Sequence, residues 1–572
     1  MLRLFQLIRI RQYVFWPLLN IFCLLMMAAD AQSFLSPSQL MQQGEAAYHS
    51  KDYSKSAAFY NAALRLLADT TTGSARYLAA YNSSCSSALA GQPDSAFAVL
   101  NQVLSEESFG TFYPQMIKDS DFDSLHGDKR WQEACRIAGR NYSMLSKKRN
   151  KALVDLTDPH KRVNYSIFSN SLYWSRQATK LSVQALCKKI ASFNRFPDAP
   201  RTDWWTLYHI KVNDTLEVPF LVHIPSHYQA GIKTPLYVFL HGGVGRTSFS
   251  DPLDEIRLET PLLQRAFQEQ AFVILPFACK EFNWLYHQQA FETVLQEIAK
   301  VKGFYNIDDN RVYIGGHSDG ARGAFWFALN QRTPFASFFG LNYFPTLLTG
   351  NTPLRNLWND APFKGISGIE DKGFNVHQVT QIVEYAHSTG ANWQNLALHG
   401  EHTLPYDTPD SAFFLFDQVI SQTRIPVPQK LRWETDDLRS GRCYWLNITR
   451  LDTLQKAANW HHAYNPAVTS LKTGKDELRN LNSKKSGAVM AEVKGRNIYL
   501  KTSRVGELQI LVPEQWARQY HALAIHLNEQ PVYHVRIHPS KTILLHSFLK
   551  SKDRALMTVD HINISISRTA LR

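Results

Sequence analysis

Long apolar runs are almost missing from this 572-residue sequence once its first 31 positions are passed. No later stretch approaches the roughly eighteen consecutive apolar residues that a membrane-spanning helix needs, which excludes a multi-span membrane protein. Cysteine is scarce too. Five remain after residue 31 (Cys85, Cys135, Cys187, Cys279, Cys443), far apart and without Cys-x-x-Cys spacing, so neither a disulfide framework nor a zinc site is encoded. His461-His462 has no third ligand at a recognisable spacing, and no metal site is expected there. Glycine (27) and proline (25) are too few for collagen-like or low-complexity chain. The formal charge of +13 is scattered, with no Lys/Arg block long enough to track a phosphate backbone. Nucleic acid is therefore excluded as the main partner, and an anionic surface or substrate fits better.

What is present is ample core material. Apolar residues at 44% and aromatic residues at 12% exclude a mostly disordered chain. At about 150 residues per domain the length suggests about four units, one of which is only a targeting segment.

Residues 1–31 read as a secretory signal, with a basic start (Arg3, Arg9, Arg11), an apolar run from about Tyr13 to Ala29 and the small-residue site Ala29-Asp30-Ala31. The mature chain is then expected in a secreted or periplasmic location with no stable membrane span. Residues 32–140 are helical, and Gly44, Ser56, Tyr60 and Ala63, followed by Ala88-Leu89-Ala90-Gly91, resemble tetratricopeptide helix pairs. That resemblance makes this region a candidate docking surface for a protein partner. Residues 141–200 read as a helical linker ending at Phe196-Pro197-Asp198-Ala199-Pro200.

From 201 to 425 strand-like runs alternate with helical ones, which predicts a mostly parallel sheet with helices on both faces. From 426 to 572 short alternating runs with little helix signal predict an antiparallel β-sandwich; Ile543–Phe548 reads as one of its strands, and Ser470–Lys485 as a polar loop. The fold class is thus multidomain: a helical repeat region, an α/β unit and a terminal sandwich.

The chemistry concentrates in the α/β unit. Gly316-His317-Ser318-Asp319-Gly320 follows the strand Arg311-Val312-Tyr313-Ile314 and precedes a helix, the context a nucleophile elbow requires, and Ser318 is its candidate nucleophile. His241-Gly242-Gly243 ends an apolar strand upstream. The amides of Gly242 or Gly243, with that of Asp319, are the candidate oxyanion donors. His402 is the candidate base, with His399, His377 and His387 as competitors. Asp371 is the candidate acid and Glu370 its substitute. The order Ser318, Asp371, His402 is that of α/β-hydrolases.

With Asn306-Ile307-Asp308-Asp309-Asn310-Arg311-Val312-Tyr313 leading into the Gly-x-Ser-x-Gly turn, residues from about Asp203 to Ile425 resemble a secreted α/β-hydrolase of the esterase group that includes polyhydroxyalkanoate depolymerases and feruloyl esterases. Ala321 stands where that group usually has a further glycine. The resemblance implies Ser-His-Asp acyl hydrolysis of a small or polymeric ester, with no metal or organic cofactor. Trp284 and Tyr343, near strand ends, are candidate substrate-pocket residues. A prolyl-oligopeptidase-type peptidase and an inactive binding scaffold are the alternatives. Every candidate catalytic residue lies between His241 and His402, so a fragment of residues 196–428, where soluble, is expected to keep small-ester hydrolysis.

Overall fold

The computed structural model describes residues 35–67, 73–156, 166–199, 201–256, 261–402, 409–528 and 530–566. The expected signal segment over 1–31 lies outside the described residues. Among the described residues no helix is long and apolar enough to cross a membrane. The chain divides into two compact units, 1–154 and 155–572.

The first unit is helical: α1 (Pro37–His49), α2 (Tyr53–Leu67), α3 (Gly73–Leu89), α4 (Pro93–Leu100) and the long α5 (Lys129–Asp155). Small residues set its packing. The Tyr60 ring lies 3.0 Å from where a Cβ on Gly44 would stand, and Ser56 Oγ donates to the Gly44 carbonyl at 2.8 Å. Ser56 Oγ also meets Ser86 Oγ at 2.9 Å, so α1, α2 and α3 are tied together through one buried hydroxyl.

The second unit is built on an eight-stranded sheet in the order β1-β2-β4-β3-β5-β6-β7-β8. Its strands are β1 (Trp204–Lys211), β2 (Glu217–Ile224), β3 (Thr234–Leu240), β4 (Phe272–Pro276), β5 (Ile307–His317), β6 (Ser337–Leu341), β7 (Phe363–Gly368) and β8 (Trp393–Leu398). Only β2 runs antiparallel to its neighbours β1 and β4; β3 to β8 are parallel. The two-residue side-chain period divides each strand between two cores. Leu236, Val238 and Leu240 of β3 join Phe291 and Ile298 of α9 (Gln288–Phe304), Phe325 of α10 (Asp319–Asn330) and Val379 of α11 (Val376–Ser388). Tyr237 and Phe239 point the other way, to Leu263 of α8 (Pro261–Gln268) and Phe416 of α12 (Pro409–Ile420). Helices therefore cover both faces.

The rest of the second unit holds a five-stranded sheet, β18-β17-β15-β14-β9, and a four-stranded one, β10-β11-β16-β19, which share one apolar cluster around Trp433, Trp445, Ile498 and Ile525. In chain order these strands and one further pair are β9 (Lys430–Thr435), β10 (Arg442–Cys443), β11 (Leu446–Leu451), β12 (Ala467–Thr469), β13 (Asp476–Leu478), β14 (Gly487–Lys494), β15 (Asn497–Ser503), β16 (Val505–Pro513), β17 (Ala522–Leu527), β18 (Tyr533–Arg536) and β19 (Thr558–Ser565).

Four expectations are corrected here. The polar segment 470–485 is not a plain loop, because β13 within it pairs with β12 as a hairpin, and Gln381 of α11 exchanges hydrogen bonds with Thr469 in both directions. The sheets are not purely antiparallel, since β15 and β17 run parallel. Ile543–Phe548 is not a strand but lies inside a helix, α13 (Lys541–Ser551). There Ser540 caps the N-terminus, and Leu544 and Phe548, four residues apart, bury one face. Finally, residues 166–196 do not behave as a linker. Helices α6 (Ser171–Lys180) and α7 (Val183–Ala191) bury Trp174, Leu186 and Ile190 against Leu544 and Phe548 of α13.

A buried ionic network fastens the chain's C-terminal part to the main sheet. Asp309, at the start of β5, pairs with Lys302 at 2.9 Å and with Arg554 at 3.0 Å. Arg554 also donates to Asn306 Oδ1 and to the Phe193 carbonyl. Arg424 takes the Asp553 carboxylate with both guanidinium nitrogens, at 2.7 and 3.0 Å. Burial pushes the Asp553 carboxyl up, but the Arg424 and Lys302 charges outweigh it and hold the group below the usual carboxylate range. Removing one partner leaves a charge stranded in the interior. Asp553→Ala is therefore expected to lower the unfolding free energy by about 3–5 kcal/mol in a denaturant titration. A fragment of residues 196–428 lacks Asp553, Arg554 and the core residues Val468 and Leu481, so circular dichroism on heating is expected to show no cooperative transition. A cooperatively folding fragment would restore the self-contained catalytic unit read from sequence.

Candidate active site

The site begins with a turn that has no room for side chains. β5 ends at His317, and Ser318 follows as the N-cap of α10 with φ 54° and ψ −117°. For a non-glycine residue this backbone costs on the order of 1–3 kcal/mol and persists only where the surroundings enforce it. The enforcement is visible. A Cβ on Gly320 would stand 1.9 Å from the Leu240 carbonyl oxygen at the end of β3, and one on Gly316 would stand 2.5 Å from the same atom. The Ser318 amide donates to the Leu341 carbonyl at 2.9 Å, which fixes the turn to the end of β6. A Cβ on Gly323 would stand 2.8 Å from the Trp284 ring and 2.9 Å from the Leu240 side chain of β3, and Ala321 is fully buried.

Ser318, His402 and Asp371 are brought together. His402 Nε2 lies 2.9 Å from Ser318 Oγ, and His402 Nδ1 lies 2.9 Å from Asp371 Oδ2. The other carboxylate oxygen of Asp371 accepts from the Gly373 and Phe374 amides at 2.7 and 3.0 Å, and its side chain is 1% exposed. Because the carboxylate accepts, Nδ1 carries the proton and Nε2 is left to accept from the serine hydroxyl. Glu370, the substitute acid, points elsewhere. Its two oxygens take His399 Nδ1 at 2.8 Å and the Gly400 amide at 2.7 Å, and these partners hold its carboxyl below the usual range. His377 and His387 are exposed on α11.

Two residues that the sequence reading missed hold the base's loop. Asn342 follows β6 with φ 46° and is fully buried; its Nδ2 donates to the carbonyls of Glu401 and His402, and its Oδ1 accepts from the Gly368 amide. One side chain thus joins the ends of β6, β7 and β8. His317 Nε2 is 2.7 Å from the His402 carbonyl and must donate to it. Burial pushes the His317 imidazolium's pKa down, consistent with a neutral ring in that role. Asn342 carried one legible signal, because asparagine tolerates a left-handed backbone better than most residues.

The candidate oxyanion loop passes directly over the turn. A Cβ on Gly242 would stand 2.9 Å from Ser318 Cβ, and Gly243 has φ 64°. Both ends of the loop are fixed. His241 donates from Nδ1 to the Gly242 carbonyl at 2.8 Å while its Nε2 accepts from the Ala278 amide at 3.1 Å, and the Asp319 carboxylate accepts from the Val244 amide at 3.2 Å. The Asp319 amide opens α10, where no earlier turn offers a carbonyl to it. Trp284 and Tyr343 are corrected. Trp284 is buried against His241 and Tyr343 is fully buried with its hydroxyl accepting from Trp393, so neither offers substrate a surface.

Among the described residues one group of three potential metal ligands occurs, Cys85, Asp119 and Asp121 in the helical unit. Burial pushes the Cys85 thiol up, away from a thiolate, and the two carboxylates are engaged by Tyr81 and Tyr48.

No family model matches the chain, and no curated protein matches it. Solved structures do. A thermostable esterase is 20% identical over 38% of this chain and 63% of its own, with a TM-score of 0.33. An S-formylglutathione hydrolase from Staphylococcus aureus is 18% identical over 38% of this chain and 98% of its own, with a TM-score of 0.30. An acylaminoacyl peptidase from Pyrococcus horikoshii is 15% identical over 40% of this chain and 44% of its own, with a TM-score of 0.32. These are loose likenesses; the chain's own strand order and turn show a mostly parallel sheet, covered by helices on both faces, with a strained strand–helix corner at Ser318.

The crowding at the turn has a direct consequence. Gly320→Ala is expected to destabilise the protein by about 3 kcal/mol, read as a fall in melting temperature, because the methyl group meets backbone rather than a movable side chain. An unchanged melting temperature would mean that the approach of β3 to α10 is looser than described.

Proposed function

We propose that this protein is a serine hydrolase that cleaves carboxylic esters through an acyl-enzyme on Ser318. The observation that carries the reading is the continuous hydrogen-bond relay from Ser318 through His402 to Asp371 above a strained strand–helix turn. In this reading Ser318 Oγ attacks the ester carbonyl carbon as its proton passes to His402 Nε2, and Asp371 stabilises the resulting imidazolium through Nδ1–H. The carbonyl oxygen becomes an oxyanion facing the amides of Asp319 and of Gly242 or Gly243, a contribution of about 3 kcal/mol per donor in comparable sites. Collapse releases the alcohol, which takes the proton from His402. A water molecule then attacks the acyl group, giving its proton to His402, and the acid leaves as Ser318 is restored.

Export to a secreted or periplasmic location is inferred from the basic and apolar pattern of residues 1–31. Docking of a protein partner on the helical region is inferred from its small-residue helix pairing. The peptidase alternative shares the relay and differs only in the leaving group.

Fluorophosphonate labelling of the full chain tests the nucleophile. Labelling is expected at Ser318 and lost in Ser318→Ala with thermal unfolding nearly unchanged; a labelled variant would move the nucleophile elsewhere. Turnover of p-nitrophenyl esters but not aminoacyl-arylamides is expected, and the reverse preference would favour the peptidase. For the acid, Asp371→Asn is expected to lower kcat on the order of 10⁴-fold, as the wrong histidine tautomer does in comparable triads, and Glu370→Gln far less. A ranking in the opposite order would transfer the orienting role to Glu370.

A further inference from the structure

Two arginines without an ion pair among the described residues stand near His402. The Phe374 ring packs edge-on against the His402 ring with centroids 5.2 Å apart, and the Arg322 guanidinium lies over Phe374 at 5.1 Å. That guanidinium is therefore within about 10 Å of the imidazole. Phe374 in turn lies 6.5 Å from Phe344, and the Arg479 guanidinium lies over Phe344 at 5.1 Å. Two arginines from distant parts of the chain thus converge on one pair of rings beside the base.

Their backbones are held independently. Arg322 is in the first turn of α10, four residues after Ser318, and its amide donates to the Ser318 carbonyl at 3.1 Å. Arg479 directly follows β13, and its amide donates to the Pro466 carbonyl at 2.7 Å. Among the described residues neither guanidinium forms an ion pair, and the Arg322 Nε is buried without a hydrogen-bond partner. Burial holds the Arg322 pKa below its usual value although the nearby Asp319 carboxylate favours the charge, and Arg479 adds repulsion. A buried donor without an acceptor is destabilising, and two like charges brought together add to that cost. An oxyanion reaching both guanidinium groups would relieve their mutual repulsion, because guanidinium and carboxylate are matched in charge and geometry.

We propose that Arg322 and Arg479 form an anion-recognition subsite, and that the substrate is an ester carrying a free carboxylate within reach of them. This rests on the serine-hydrolase reading and names its substrate class. Phe374 and Phe344 each carry one guanidinium over the ring, which positions the two charges.

Two matched substrate pairs, used with the full chain, test it. Mono-p-nitrophenyl glutarate against its methyl ester places the carboxylate on the acyl side, and 4-acetoxybenzoate against its methyl ester places it on the leaving group. For at least one pair, the anionic-to-neutral ratio of kcat/KM is expected to fall tenfold or more in Arg322→Gln and in Arg479→Gln. Arg322→Lys should recover part of the ratio, and added salt should lower it in the parent protein but not in the double variant. Glutarate should also raise the melting temperature of Ser318→Ala, a shift lost when both arginines are replaced; melting curves without glutarate check that each variant is folded. Turnover of neutral esters with the same ratio in parent and double variant overturns the subsite and spares the hydrolase. Glutarate stabilisation without any turnover overturns the hydrolase and spares the subsite. Neither effect overturns both.

Discussion

The nucleophile corner of the candidate site follows from the passage of the β3 carboxyl end across the β5–α10 turn. The Leu240 carbonyl occupies the volume that side chains at 316 and 320 would need, so only glycine serves at either position. That crowding holds Ser318 in its left-handed conformation and lifts its hydroxyl off the sheet edge. The same contact brings the Gly242 backbone within van der Waals range of Ser318 Cβ, so the candidate oxyanion amides and the hydroxyl share one rigid corner. Preorganisation of this kind is laid down by backbone packing during folding, and no reorganisation is left for the moment of reaction.

The base is held differently, on a loop rather than at a strand–helix corner. Its position is set by polar contacts: Asp371 at the ring, His317 and Asn342 at the carbonyl, and Glu370 at the Gly400 amide. Asn342 matters most, because one amide side chain spans the carboxyl ends of three parallel strands and sets the acid and base loops against each other. A fully buried amide with both ends bonded also has little freedom to move.

The C-terminal part of the chain shares the core of the main sheet. Val468 and Leu481 lie in the same apolar cluster as β3 and α10, and Arg554 reaches Asp309, Asn306 and Phe193 at once. The Asn306–Asn310 segment therefore serves as a junction, with Asn306 and Asp309 bound to Arg554 and Asn310 bound to Arg424. The proposed arginine pair depends on the same interlocking, since Arg479 reaches Phe344 only because the β12–β13 hairpin docks on α11.

Local signals in the chain were enough for the parts whose cause is local. Strand-like runs alternating with helical ones over 201–425 announced the mostly parallel sheet, and Gly-x-Ser-x-Gly between a strand and a helix marked the turn, because glycine spacing and hydrophobic pattern are written into consecutive residues. The serine and histidine candidates rested on the same footing. The choice between Asp371 and Glu370 was not legible, since adjacent carboxylates differ only in which partner the folded loop offers, and the fold offers the two backbone amides to one and His399 to the other. Trp284 and Tyr343 flank strand ends in the chain, yet tertiary packing buries both. Ile543–Phe548 is a short apolar-rich run that reads as a strand, but a cap at Ser540 and an apolar face waiting at Trp174 make it a helix. Asn342, the Arg424 and Arg554 anchors and the convergence of Arg322 with Arg479 all join residues tens to hundreds of positions apart. Their partners exist only once the chain has folded, and that long separation is why the tertiary structure alone decided them.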